Sequence, residues 1–327
     1  MPQPPRSVMQ AARVMHGWTQ TDLGKAAGLS QWTVSQIESR EQPPEPAVVD
    51  AIAAALAIPR ELMAQPDPSP RILHAFKASL PRTARNLFLA SVTMAHAHVS
   101  LLARTTLTGV LRDPDGYTHP HDFAERLRRR WLLPAGPINK LLPELEAHGI
   151  ICIYRDLTAI TSNAVLSSSE GGQYLMFLDS SASKTDLAWA IAHELGHLTF
   201  VDELSEEPER DADMFAAGFL MPGRDVRDDD TLRPDLDLAS AADRWGVRPR
   251  VLAQRLRDLK TITDLQFRDL VRQTRTLPEA AGRRSLLATP TLLADSVKGV
   301  GGSRSAASRA LLTVQDLRKD YLARSGG

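Results

Sequence analysis

The sequence predicts a mainly α fold with a small β-sheet, an α+β protein, with a short helical block ahead of a longer mixed domain. Three observations predict it. Apolar residues recur at three- and four-residue steps through most of the chain. Only two short β-branched or aromatic runs, at 150–154 and 173–178, read as strands. Ala64-Gln-Pro-Asp-Pro-Ser-Pro70 places three prolines in five positions, which stops a helix and stiffens a linker.

Composition sets outer bounds. The 327 residues suffice for two domains, and 43% apolar content supplies a sizeable core. Charged residues make up 24%, an ordinary fraction, and the formal net charge is zero. A nucleic-acid reading therefore has to rest on a local motif rather than on whole-chain attraction. The one cysteine, Cys152, forms no internal disulfide and reads as a buried small hydrophobe. Met1 to Arg6 lacks the apolar stretch of a signal peptide, and no apolar run reaches spanning length, so the expectation is a cytoplasmic chain with no membrane contact.

In chain order, 7–62 reads as short helices, and 71–108 is helical again, with Leu, Phe, Val and Met at helical steps. Asp113 to Pro120 is a turn-rich loop, Phe123 to Trp131 a basic amphipathic helix, and Pro137 to His148 a helix closed by Gly149. Ile150 to Tyr154 is a strand, Ser167 to Gly172 a loop, and Gln173 to Leu178 a second strand, either a sheet edge able to pair with an extended peptide or a core strand. Ser183, an N-cap, opens the strongest helical pattern, which runs to about Val201. Another helix covers Glu207 to Met221 and stops at Pro222. Leu238 to Trp245 and Pro249 to Leu259 form a helical pair about Gly246, and Thr263 to Arg275 a last helix. Beyond it the pattern fades: Lys298 to Ser305 reads as flexible, and from Arg272 ten Lys/Arg face four Asp/Glu, a solvated basic tail.

Chemistry concentrates in Ala192-His-Glu-Leu-Gly-His197. His193 and His197 lie four apart on one helix face, a spacing that lets two imidazoles bind one tetrahedral ion. Leu187, Ile191, Leu195 and Leu198 anchor that helix in a core. Two neutral imidazoles suit zinc at neutral pH. Glu194 follows the first ligand and is the base by position, able to take a proton from water and pass it to a leaving amine. The next helix offers Glu209 and Asp213, again four apart: Glu209 as third ligand, Asp213 as acceptor for the second ring N–H of a zinc histidine. Asp211 competes as ligand, but it points about 160° round the helix from Glu209, so both cannot bind. A closed structural zinc site, usually thiolate-rich, fits a chain with one cysteine poorly.

The stretch from Gly17 to Glu38 reads as two short helices around a tight turn. Thr19 with Asp22 fits a capping box, Ala27-Gly28 supplies the turn, and Ser30 caps the second helix. Leu23, Val34 and Ile37 pack together, with Ile52 and Leu56 closing the core. Gln31, Trp32, Thr33 and Gln36 then face outward, where Gln can pair with adenine in the major groove, while Gln20 at a helix N-terminus suits a phosphate oxygen. The expected partner is double-stranded DNA, contacted by Gln20, Ser30, Gln31, Trp32, Thr33 and Gln36. Local charge adds nothing, since Met1 to Met63 holds five Lys/Arg and six Asp/Glu; the alternative is a small bundle that only dimerises.

Both blocks resemble known families. Residues 8–58 resemble an Xre/Cro-type helix-turn-helix through Thr19-Gln20, Leu23, Ala27-Gly28, Ser30, Val34-Ser35 and Ile37-Glu38; Ser39-Arg40 stands where that family usually has glycine. Residues 120–270 resemble the ImmA/IrrE metallopeptidases through Gly136-Pro-Ile, Ala192 to Leu198, Glu209 to Ala217 and Leu220-Met-Pro222, with Asp211 where Glu or Gln is commoner. The resemblance implies zinc on His193, His197 and Glu209, a catalytic Glu194, a five-helix N-terminal domain and a zincin-like second domain. It also implies that the protein substrate is a transcriptional repressor or similar regulator.

The expected organisation is an Xre-type DNA-binding domain at 1–63, a Pro-rich linker at 64–70, a helical connector at 71–119, a metallopeptidase domain at 120–272 and a basic, partly flexible C-terminal tail at 273–327. Helix-turn-helix proteins usually bind paired half-sites, so a homodimer is expected. The rival is a non-proteolytic transcription factor whose metal domain senses a ligand or holds a partner. Ala242 to Arg250 superficially resembles a second helix-turn-helix, but in the resembled family such a pair belongs to the peptidase domain; Arg244, Arg248 and Arg250 could still assist DNA or partner binding. His96, His98, His119 and His121 belong to no ligand motif and read as surface or packing residues.

Overall fold

The computed structural model describes residues 7–39, 44–72, 76, 79–103, 105, 107, 119–199, 207–233, 236–275 and 286–322. Helices dominate, around one four-stranded sheet.

Five helices form the N-terminal unit: α1 (Val8–Met15), α2 (Gln20–Ala27), α3 (Gln31–Ser39), α4 (Pro46–Ala55) and α5 (Arg60–Met63). Thr19 and Asp22 form a reciprocal capping box at the start of α2. Gly28, with φ of 68°, closes α2 in the left-handed region that only glycine enters without steric cost. The Ser30 hydroxyl accepts the Thr33 amide at 3.0 Å and opens α3. Leu23, Val34, Ile52 and Leu56 are buried together with Met9 and Ala12 of α1. Arg13 of α1 donates twice to the Glu38 carboxylate, at 2.7 and 3.0 Å, and ties α1 to the end of α3. Arg40, at the exit turn, lies outside the described residues.

After the prolines the chain forms β1 (Arg71–Ile72) and the 21-residue helix α6 (Arg82–Leu102). Val8, Leu62 and Ala97 pack together, so α6 carries the N-terminal unit on one side. The loop expected at Asp113 to Pro120 lies, up to Thr118, outside the described residues.

The second unit continues with α7 (Pro120–Arg130), α8 (Leu141–Ala147), β2 (Ile150–Arg155), β3 (Ala164–Ser168) and β4 (Tyr174–Asp179). The strands run in the order β1-β3-β4-β2, with β2 parallel to β4 and the other pairs antiparallel. There follow α9 (Lys184–Thr199), α10 (Pro208–Leu220), α11 (Gly223–Arg227), α12 (Leu238–Trp245), α13 (Pro249–Asp258), α14 (Asp264–Gln273), α15 (Leu292–Gly299), α16 (Ser303–Arg309) and α17 (Val314–Tyr321). Alternate strand residues enter two cores. Cys152, Leu166, Met176 and Leu178 meet Phe123 of α7, Ile191 of α9 and Phe215 and Phe219 of α10. Ile151, Ile153, Val165, Leu175 and Phe177 face α6 and the C-terminal helices. Because both faces are covered, β2 and β4 read as continuous apolar runs rather than alternating ones.

Of the two readings of the strand from Gln173 to Leu178, the core one holds: it is interior, bonded to β3 on one side and β2 on the other. Strand β3 escaped notice because its end, Ser167-Ser168, merges with the polar turn that follows. Residues 292–321, read as part of a patternless tail, form three short helices whose Leu293, Val297, Ala306, Ala307, Ala310 and Leu317 are buried. Small buried residues and short helices leave little periodic signal, and Gly301-Gly302, read as flexible, turns the chain between α15 and α16. Among the described residues, no helix is long and apolar enough to cross a membrane.

His96 is one of the histidines read as packing, and it is fully buried between α6 and β3. Its Nδ1 donates to Gln173 Oε1 at 3.0 Å and its Nε2 accepts from the Ser167 hydroxyl at 2.9 Å, a neutral tautomer with both nitrogens satisfied. Burial, opposed by the Gln173 bond, pushes its pKa down from 6.5 to about 4. Between these values the unfolded chain binds a proton that the folded chain refuses. Stability is therefore full above pH 6.5 and falls as pH drops toward 4, by about 3 kcal/mol for this group. Urea unfolding of wild type and His96→Gln across that range should show a smaller acid loss in the variant. Identical slopes would contradict the assignment.

Candidate metal centre

Helix α9 starts with the Ser183 hydroxyl accepting the Asp186 amide at 3.2 Å, and its Leu187, Ile191 and Leu195 are fully buried. This fixes the rotation of the helix, so that one side carries His193 and His197 toward α10. Contact between the two helices is unusually close at Gly196. A Cβ there would lie 2.8 Å from the Ala212 Cα, nearer than real Cβ contacts come. The glycine in the motif is what lets the carboxylates of α10 reach the imidazoles of α9.

The far end of α10 is also pinned. Arg128 of α7 donates to the Phe219 carbonyl at 2.7 Å, and Arg255 of α13 to the Met221 carbonyl at 3.0 Å. Two guanidiniums thus satisfy carbonyls that the helix end leaves unpaired, where the helix dipole favours positive charge. Burial lowers the pKa of both to about 10, which still leaves them charged at neutral pH.

Within this frame the Nε2 atoms of His193 and His197 stand 3.1 Å apart. Glu209 Oε2 is 3.4 Å from His193 Nε2, and Glu209 Oε1 is 3.6 Å from His197 Nε2. With one ligand atom taken from each residue, the three lie within 4.8 Å of one another, and this His-His-carboxylate set suits one divalent transition metal. Among the described residues, this is the group of histidine, cysteine and carboxylate side chains close enough to hold an ion, and Asp211 is not part of it.

His193 Nδ1 donates to Asp213 Oδ1 at 2.9 Å, which fixes the tautomer that turns Nε2 toward Glu209. Burial lowers the His193 pKa, but the Asp213 bond and the charges of Glu194, Asp213 and Glu209 outweigh it and leave the pKa above its ordinary 6.5. The ring is an electron-rich donor for which protons compete in mild acid. His197 is almost completely buried, whereas the Glu209 and Asp213 side chains are more than half exposed, so the cluster opens on the α10 side.

Glu194 is only 1% exposed, and its Oε2 accepts the Leu166 amide of β3 at 3.0 Å. That amide went unnoticed in the sequence, because a backbone donor carries no side-chain signature.

The residues expected at DNA partly bind one another. Gln31 Nε2 donates to Gln20 Oε1 at 2.8 Å, and Gln20 Nε2 to Glu38 Oε2 at 2.9 Å, a chain that buttresses the start of α3. Trp32 is 62% exposed; Ser30 and Gln31 are exposed, while Thr33 and Gln36 are half-buried. Of the three arginines near the second helical pair, Arg244 pairs with Asp229 and Arg248 with Asp186 inside the chain.

Residues 145–257 match the family model described as IrrE N-terminal-like domain, a peptidase family, and residues 9–62 match the one described as helix-turn-helix. The first match takes in the strands β2 to β4 and the helices up to α13, and with them His193, Glu194, His197, Glu209 and Asp213. No curated protein and no solved structure matches the chain.

Proposed function

The chain joins a helix-turn-helix domain to an IrrE N-terminal-like domain of a peptidase family, and from that premise we propose a DNA-binding regulator that is also a zinc-dependent endopeptidase. Its substrate is a transcriptional repressor or similar regulatory protein, as the ImmA/IrrE resemblance implies. The observation that carries the reading is the convergence of His193, His197 and Glu209, with ligand atoms within 4.8 Å of one another and Glu194 next to the first of them. These three would hold zinc. When bound, zinc polarises a peptide carbonyl and brings the pKa of its water to about 7.

The chain's own residues divide the remaining work. Asp213 holds the His193 proton on Nδ1, so Nε2 offers its lone pair to the ion. The Leu166 amide fixes one oxygen of Glu194 and thereby orients the carboxylate. Glu194 takes a proton from the attacking water and delivers it to the departing amine. In the N-terminal domain, Gln31 and Trp32 present the most exposed surface of α3 to the major groove, Ser30, Thr33 and Gln36 flank them, and Gln20 both supports Gln31 and lies within reach of the backbone. A homodimer on paired half-sites is the assembly such a domain calls for.

Incubating the zinc-loaded chain with candidate repressors on their operators tests the reading. Cleavage is expected, lost on chelation and restored by added zinc. One observation favours the rival, a non-proteolytic regulator whose metal domain senses a ligand or holds a partner: Glu194 is nearly sealed from solvent. Regulation that survives His193→Ala but not Gln31→Ala would decide for the rival.

A further inference from the structure

Helix α3 turns one large aromatic side chain to solvent. Val34, fully buried, fixes which side of α3 faces the N-terminal core. Trp32 precedes it by two residues, about 200° round a helix of 3.6 residues per turn, and so stands on the opposite side. It is 62% exposed, and among the described residues it is the one aromatic side chain left so open. A tryptophan in that position forgoes most of the burial that its large apolar surface could gain.

The polar residues around it are engaged with the chain. Gln31 donates to Gln20, and the Ser30 and Thr33 hydroxyls bond each other at 2.8 Å. Arg13 and Gln20 both hold Glu38 at the far end of α3. These bonds fix the helix, whereas no hydrogen bond ties Trp32 to another described residue. Its indole offers an apolar face and one N–H, which donates and cannot accept.

We propose that Trp32 selects a thymine in the operator, packing on its C5-methyl group and donating the indole N–H to O4. This rests on the proposed placement of α3 in the major groove and names a base that it reads there. Of the four bases, thymine alone offers a methyl group beside an acceptor on its major-groove edge. Cytosine presents an amino donor, which would face another donor. Adenine has an acceptor and a donor, guanine two acceptors, and neither has an apolar group for the ring to cover. A phosphate oxygen would accept the N–H yet leave the ring in water.

The test starts from DNA duplexes with a randomised centre, selected on the full chain at fixed salt. Deoxyuridine then replaces each thymine of the selected site in turn, which removes the methyl and keeps the base pair. At one thymine, wild-type affinity should fall about fourfold, the worth of one buried methyl group. Trp32→Ala should bind without that fall. A second substitution at the same position, 5-methylcytosine, keeps the methyl but sets an amino group in place of O4. Wild type should reject it, and Trp32→Phe, which lacks the N–H, should reject it less while keeping the methyl effect. Should Trp32→Ala bind too weakly to compare, Trp32→Phe decides alone. The inference is overturned if no thymine shows a methyl effect, if Trp32→Ala retains it, or if Trp32→Phe rejects 5-methylcytosine as strongly as wild type. It also falls if Trp32→Ala breaks a dimer and weakens binding to all sequences alike, the behaviour of a subunit contact. A pool from which no sequence is enriched would end the DNA-binding reading too, whereas the other outcomes leave that reading standing.

Discussion

Replacing Glu194 by glutamine should leave one zinc per chain and slow cleavage of a repressor substrate by about 10²–10⁴-fold, the range that a positioned general base contributes. The separation of the two effects follows from the geometry. Glutamine has nearly the same shape, and its amide oxygen can still accept the Leu166 amide that holds Glu194, so the contact between α9 and β3 survives. The proposed donors to the ion are His193, His197 and Glu209, the group placed to hold one, and the substitution leaves them alone. Only the capacity to accept a proton is lost. Single-turnover cleavage assays beside zinc analysis check both halves. Undiminished cleavage by a zinc-loaded Glu194→Gln chain would sink the assignment of the base.

A second large effect is expected from the smallest substitution available. Gly196→Ala adds one methyl where α9 and α10 touch. That methyl would sit 2.8 Å from the Ala212 Cα and 3.2 Å from the Ala212 carbonyl oxygen, both backbone atoms. No rotamer change relieves such a clash, so the helices must separate. Overpacking of this kind costs about 1–3 kcal/mol. The functional cost is larger than the stability cost suggests, because separation draws Glu209 away from the two imidazoles. Zinc affinity should fall at least tenfold, as expected when a ligand set loses its spacing. Ala212→Gly should not restore it fully, since the closest atom is the Cα rather than the Cβ. Competition with a chelator of known zinc affinity measures the change. Wild-type affinity in Gly196→Ala would show that the helix contact does not set the metal geometry.

What could be read in the sequence was what side-chain chemistry writes at helical spacing. His193, Glu194 and His197 on one helix, and Glu209 and Asp213 on the next, are recognisable because each pair needs only a separation of four to share a face. The helix-turn-helix was legible for the same reason, through Thr19, Asp22, Gly28 and Ser30 at cap and turn positions. Contacts made by the backbone or by distant segments were not. Leu166 enters the site through its amide, and any residue but proline could supply that. His96 finds Ser167 and Gln173 more than seventy positions away, and nothing local marks it as buried. The helices α15 to α17 are short and use alanines to pack, so their periodicity is faint although they cover one face of the sheet. Strand β4 reads alike at an edge or in the middle, because an apolar run does not say how many neighbours it has.

The central claim is that one ion is gripped by a pair of imidazoles a helical turn apart and by a carboxylate from the neighbouring helix. Elemental analysis of the purified full chain, wild type beside His197→Ala, addresses it most directly. One equivalent of zinc in the wild type, and close to none in the variant at unchanged helical content, is the predicted result. A wild-type chain without stoichiometric metal after exposure to zinc, or a variant that retains it, would contradict the account.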